Sequence, residues 1–418
     1  MRRTIFTLAI CMAGQSISLV PAWAFDEREA VSAAEPALRQ FVLSVVEANP
    51  RVQAARSALD ASLAFRDAAS RPLYNPQLSL DAENAETDTR SIGISQTLDW
   101  SGKRKARTAV AESDRLVVEA EYRAARWSVT VGLLNALAQH QTGLTRHQLA
   151  ESRQQLMNQF VALAQRRFDA GDLNQVEYDL ARLSATDARI QQATAGAALA
   201  EARQAVRSLA VRAPVSQWPL LPAMTPNLST GTNPQDLVLQ LPEVLAARRQ
   251  VESADALVEL RRREKRPDPT LSLAGGEENG EGLIGLTLSM PLFVRNRFNY
   301  EVTAALAERS QAQQIADDVL QRAHARLVSA AERYDLSRGA WGDWASTGQT
   351  SLARQTDQLQ RLWEAGELST TDYLVQLTAT LDVQENALDL REALWRAWFE
   401  WLWASGQVDA WLGQGARS

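Results

Sequence analysis

Three histidines, one cysteine and scattered carboxylates are all that this sequence offers for metal or nucleophile chemistry. His140 and His147 lie seven residues apart and could share a helix face, but metal sites ask for closer, convergent ligands. His324 stands alone, as a surface or seam residue would. There is no Gly-rich phosphate loop, no nucleophile elbow and no ligand cluster. The reading is therefore of a protein that is not an enzyme and holds no cofactor and no metal. Two acids stand out by position instead. Glu177 and Asp372 are 195 residues apart, and each follows a Gly-containing turn. An acid in the first turn of a helix complements the helix dipole, so the plainest role for both is capping.

The elements that would carry these residues begin with an export signal over residues 1–24. Arg2 and Arg3 precede a mostly apolar run from Ile5 to Val20, and Ala22-Trp23-Ala24 has the small-x-small form of a cleavage site. Cleavage would take the net charge from −6 to −8 and remove Cys11, the single cysteine. Leu8-Ala9-Ile10-Cys11 has a faint lipoprotein-box form, but Ile10 is bulky and the apolar run continues, so lipidation is not expected. The acidic balance argues against a nucleic-acid partner. Beyond the N-terminus no apolar run reaches the length of a membrane-spanning helix.

The remaining chain reads as one unit written twice. Asn49-Pro50-Arg51-Val52 returns as Leu241-Pro242-Glu243-Val244, and Asn75-Pro76-Gln77-Leu78-Ser79-Leu80 as Asp268-Pro269-Thr270-Leu271-Ser272-Leu273. Phe168-Asp169-Ala170-Gly171-Asp172-Leu173 returns as Trp363-Glu364-Ala365-Gly366-Glu367-Leu368. The first repeat is assigned to 25–213, a Pro-rich connector to 214–234, the second repeat to 235–410 and a tail to 411–418. Each repeat predicts a short helix (51–71; 243–266), a β-hairpin (76–100; 269–292), a very long helix (105–166; 297–363), a tight turn, and a return helix (174–211; 369–404). In each repeat the two shorter helices sum to about the length of the long one, so they can stack end to end beside it. Their Ala-rich faces need neighbours to bury the seams. Eight of the twelve tryptophans lie from Trp341 onward, and Trp395, Trp398 and Leu402 fall at helical spacing, as for packing against the connector.

The hairpins alternate with period two, so their faces meet different surroundings. Leu78, Leu80, Ile92, Ile94, Leu271, Leu273, Ile284, Leu286 and Leu288 face one way, against Ser79, Asp81, Ser95, Gly285 and Thr287. Polar turns are expected near Glu86–Arg90 and over Gly275–Gly282. Strands of about 9–11 residues suffice to cross an outer membrane when tilted, and the apolar set is expected to face lipid. Four strands cannot close a barrel, and an open edge is not viable in lipid. Two chains would close a barrel packed shut by its own side chains, whereas three leave a lumen.

With these residues assembled, the sequence resembles the TolC-type outer membrane efflux factors, and among them the CzcC-like branch that serves heavy-metal pumps. The likeness is carried by Asn49-Pro50, Asn75-Pro76-Gln77-Leu78-Ser79-Leu80, Ser95-Gln96-Thr97-Leu98-Asp99, Ser101-Gly102-Lys103-Arg104, Met290-Pro291-Leu292-Phe293 and both Ala-Gly-acid-Leu turns. Ser101 and Phe298 stand where that branch commonly has Gly. The resemblance implies a mainly α chain with a small β part. Its long antiparallel α-helical barrel would continue four strands per chain, which complete a trimeric twelve-stranded β-barrel. It further implies a homotrimer in the outer membrane of a Gram-negative bacterium, reaching into the periplasm and meeting outer membrane lipid. A periplasmic adaptor (membrane fusion) protein and an inner membrane RND transporter would be its partners. The expected cargo is divalent heavy-metal cations of the cobalt, zinc and cadmium class. A duct for organic drugs or solvents, or for type I secretion, is the alternative, and a periplasmic adaptor is the alternative of another class. Gly171, Asp172, Leu173, Gly366, Glu367 and Leu368 would form the adaptor-docking tips, and Asp372 with Glu177 the periplasmic aperture.

Overall fold

The computed structural model describes residues 34–84, 88–211, 218–222 and 234–413. The export signal, Cys11, much of the connector and the last five residues lie outside that range.

Helices dominate, and prolines and caps set their bounds. α1 (Pro36–Ala48) and α2 (Pro50–Ala69) are divided at Asn49, whose extended backbone (ψ 129°) suits the residue before a proline. Its side chain accepts from Arg51 N at 3.0 Å and donates to Leu209 O at 3.3 Å. The repeat pattern predicted α2 but not α1. After the first hairpin, α3 (Lys103–Asp169) runs unbroken for 67 residues, about 100 Å. α4 (Gln175–Leu209) returns beside it and ends where α2 begins, as the Asn49–Leu209 bond shows. Two shorter helices thus do run end to end along a long one.

The second repeat follows the plan with two departures. α5 (Pro234–Leu239) opens at the end of the connector, and α6 (Pro242–Glu264) precedes the second hairpin. The long helix, expected over 297–363 as one piece, starts as α7 (Asn299–Asp343), passes through a π turn at Trp344–Gly348, and continues as α8 (Gln349–Glu364). The Trp344 ring lies where a Cβ on Gly348 would sit, so the turn depends on that glycine. α9 (Thr370–Ala404) returns and ends in α10 (Val408–Trp411).

The main core sits part-way along the stack rather than at either end. Leu133, Leu134 and Leu137 of α3, Leu327 and Tyr334 of α7, Leu38 and Val42 of α1, and Trp395, Trp398 and Leu402 of α9 are all buried there. Leu221 and Val238 bring the connector and α5 into it, the packing expected for the C-terminal tryptophans. Trp127 Nε1 donates to Asp409 at 3.0 Å. Trp411 and Leu412, placed in the tail by sequence, are fully buried core residues.

The four strands β1 (Gln77–Glu83), β2 (Thr89–Thr97), β3 (Thr270–Glu278) and β4 (Glu281–Ser289) form one antiparallel sheet in chain order. They are 7 or 9 residues long, at or below the lower end of the expected range. The second turn is tighter than expected. Gly275, Gly276 and Gly282 pair within the strands, and Asn279-Gly280 alone makes the two-residue turn, as that dipeptide favours.

Candidate functional site

Two end regions of the described molecule carry the candidate residues. Among the described residues no group of three or more His, Cys, Asp or Glu is placed to hold a metal. His140 meets the edge of Trp218 with ring centroids 4.7 Å apart, and burial, then Arg203, holds its pKa below the usual value. His147 is instead 3.2 Å from Glu151.

At the sheet end, cross-strand register sorts the residues into two faces. Leu80, Ile92, Gly275 and Ile284 form one row, and Leu78, Ile94, Leu273 and Leu286 the next. Leu80 is 74% exposed, Ile284 85% and Leu286 71%. The opposite rows are small or polar: Ser79, Gly93, Ala274, Gly285; then Gln77, Ser95, Ser272, Thr287. All nine strand positions expected to face lipid, including Leu271 and Leu288, are exposed on this chain. Among the described residues, β1 and β4 each have one free edge. A contiguous apolar face of this kind is an interaction surface. No described helix is long and apolar enough to cross a membrane.

The strand bases are bolted together across the two repeats. Asp268, buried, accepts from Lys103 Nζ at 2.9 Å and Tyr74 OH at 2.8 Å. Burial, then Asp268, pushes the Tyr74 phenol up to about 12. Asp99 caps α3 by accepting from Lys103 N and Arg104 N, each at 2.8 Å. Both long helices start from a left-handed residue: Gly102 at φ 71° and Phe298 at φ 54°. Phe298 holds that strained conformation with its N–H donated to Asn296 Oδ1 at 3.0 Å and its ring edge-on to Phe293 at 4.9 Å.

At the other end, the turns after α3 and α8 lie side by side. Gly171 (φ 83°) and Gly366 (φ 75°) take the left-handed position that ends each helix. Asp172 N donates to Arg167 O at 2.8 Å and Glu367 N to Leu362 O at 2.9 Å. The exposed positions are Gly171, Asp172, Gly366 and Glu367, whereas Leu173 and Leu368 turn partly inward onto an apolar cluster. Glu177 and Asp372 both sit in caps. Asn174 Oδ1 accepts from Glu177 N at 2.9 Å, and Glu177 accepts back from Asn174 N at 3.3 Å. Ser369 Oγ accepts from Asp372 N at 3.1 Å and donates to the Asp372 carboxylate at 2.7 Å.

Several residues that bind the two tips escaped the sequence reading. Phe160, Trp363 and Tyr373 pack within 4.5–5.3 Å of one another. Burial, then Glu364, raises the Tyr373 pKa. Arg167 lies 4.9 Å above the Trp363 ring and donates to Trp363 O and Glu364 O, at 3.3 Å each. Higher up, Arg153 is 8% exposed and reaches Asp187 at 3.5 Å and Asp382 at 3.9 Å. Those acids are themselves repeat equivalents, and that symmetry was the available signal for Arg153. Trp363 was visible as the counterpart of Phe168; Phe160 carried no signal.

Fold and family now meet. The outer membrane efflux protein family matches residues 33–210. The chain is 27% identical over 282 residues to the cobalt-zinc-cadmium resistance protein CzcC of Cupriavidus metallidurans, covering 65% of this chain and 66% of that one. It is 28% identical over 286 residues to the nickel-cobalt-cadmium resistance protein NccC of Alcaligenes xylosoxydans xylosoxydans, covering 63% and 62%. The matches thus span just under two thirds of these relatives. In structure it superposes on the Campylobacter jejuni CmeC outer membrane channel with a TM-score of 0.75 at 16% identity, covering 98% of this chain and 95% of that one. The fold is that of the TolC-type channels. Over residues 33–210 the chain is similar to the outer membrane efflux proteins, and among curated proteins it is similar to CzcC and NccC.

Proposed function

We propose that this chain is the outer membrane duct of a tripartite efflux pump that exports divalent heavy-metal cations. The observation that carries the reading is the sheet: one apolar, exposed face, one small and polar face, and two free edges, set at one end of helices about 100 Å long. A free edge is not stable in lipid. Three chains joined β4 to β1 would give a closed twelve-stranded barrel with its polar rows toward the lumen. The helices would extend the duct into the periplasm. The exposed stripe Val176, Leu183 and Ile190, seven residues apart on α4, suits a seam between chains in such a homotrimer. The tips at Gly171–Leu173 and Gly366–Leu368 would meet a periplasmic adaptor, which links the duct to an inner membrane RND transporter. Asp372 and Glu177 would line the aperture there. Three copies of each carboxylate would draw cations toward the axis. The metal class rests on the names of the CzcC and NccC relatives.

The test is growth of a strain lacking the chain, with and without complementation, on cobalt, zinc, cadmium, nickel, copper and silver salts beside dyes and antibiotics. Sensitivity confined to metals supports the reading. Sensitivity to organic compounds alone would keep the duct and discard the cargo. Membrane insertion is tested separately. Leu286→Arg should weaken barrel assembly by about 2–4 kcal/mol at mid-depth, whereas Thr287→Arg should not. Equal tolerance of both by heat-modifiable gel migration would refute the assigned faces.

A further inference from the structure

The strand bases carry more positive charge than the helices need. Arg71 precedes β1, Arg104 follows β2, Arg262 and Arg266 precede β3, and Arg295 and Arg297 follow β4; all six are exposed. Every strand-to-helix junction therefore contributes. The junctions lie together: Trp100 Nε1 donates to Pro267 O at 2.7 Å, and Arg263 donates to Gly102 O at 3.0 Å. Among the described residues none of the six is in an ion pair, although neighbouring Lys103, Arg261 and Arg263 all are.

Helix electrostatics accounts for only part of this. Arg262 and Arg266 lie at the C-terminal end of α6, where cations are favoured. Arg104 lies in the first turn of α3, which has no acid, and Arg295 and Arg297 lie just before α7. Cations at those places oppose the helix dipole, so the dipole does not account for them. The far end of the sheet has the reverse sign, with Asp81, Glu83, Glu278 and Glu281 at its turns. Between base and turns lies the apolar strand face, and beside the base Trp100 (64% exposed) and Tyr300 (87% exposed) stand where interfacial aromatics sit.

We propose that this arginine collar binds the anionic headgroups of phospholipids in the leaflet that faces the helices. The inference rests on the outer membrane reading above. Headgroup phosphates supply the charge that the collar lacks, and they lie at the depth the aromatic and apolar residues define. Clusters of exposed basic side chains beside a bilayer recognise anionic lipid in this way. The collar would then set the depth and tilt of the barrel, and with them the direction in which the helices project.

The experiment reconstitutes the full mature chain into nanodiscs of phosphatidylcholine mixed with phosphatidylglycerol and measures the lipids that co-purify after detergent extraction. The expected result is retention of phosphatidylglycerol over phosphatidylcholine by about fivefold or more. The preference should fall with added salt and be lost in Arg262→Gln/Arg266→Gln/Arg295→Gln/Arg297→Gln. It should persist in Arg189→Gln/Arg207→Gln, which removes two exposed cations away from the collar. Insertion with no headgroup preference in the unmodified chain would overturn the collar and leave the duct standing, without recourse to any variant. Failure to insert into either lipid would overturn the duct reading, and the collar with it.

Discussion

The two repeats share one plan, and their differences fall at corresponding places. α3 is a single helix, whereas its counterpart is broken by the π turn at Trp344–Gly348. At the junction, Gly102 takes the left-handed conformation without strain and Phe298 takes it at a cost. At the tip, half-buried Phe168 stacks on Tyr178 at 5.1 Å, whereas Trp363 is buried between Phe160, Tyr373 and Arg167. The first repeat supplies an unbroken long helix. The second is attached to it at the sheet, at the main core and at the tip. Between Tyr334 and Leu359 no described side chain of the second long helix is buried. The two halves keep the same element order, while strain and loose packing fall in the second.

The strongest way to break this comparison is at the tip. Trp363→Ala should cost about 3–5 kcal/mol locally and open the second tip to limited proteolysis. Phe168→Ala should cost clearly less. Equal protection in the two variants would show that the tips are not joined through Trp363.

The sheet seam comes next. A Cβ on Gly276 would overlap the backbone of Arg90 and Ser91, whereas one on Gly285 meets nothing within 4 Å. Gly276→Ala should cost about 1–3 kcal/mol and Gly285→Ala should be tolerated in the unassembled chain, as thermal unfolding would report. The junctions should differ in sign. Gly102→Ala should lose about 1 kcal/mol, while Phe298→Gly should be neutral or stabilising, because relief of about 1–3 kcal/mol of backbone strain outweighs a ring contact of about 0.5–1.5 kcal/mol.

The smallest effect is a pH dependence. Burial holds the His140 pKa below its ordinary 6.5, so the unfolded chain takes up the proton more readily. The stability from keeping this ring neutral is present above pH 6.5 and is lost as the pH falls through the folded value. His140→Gln should flatten that part of the acid limb in denaturant titrations at several pH values.

Much of this protein was determined by local sequence. Prolines, caps and Ala-Gly-acid-Leu turns set helix limits to within a few residues, because those signals act on the backbone nearby. Period-two alternation assigned the strand faces, because a pleated strand leaves a side chain no choice of side. The end-to-end stacking followed from matched lengths. Only the tertiary structure decided the rest. α10 is too short to be set by pattern and is held by core contacts, whereas α1 has Leu38, Val42, Val45 and Val46 at helical spacing but falls outside the repeated segment. The π turn depends on one Trp ring against one glycine. Phe298 adopts a backbone that its own side chain disfavours because its neighbours hold it there. Arg153 and Trp363 act through partners far away in sequence, Asp382 and Phe160. The junction arginines were legible as residues; their gathering at one level required the sheet that brings all four strand ends together.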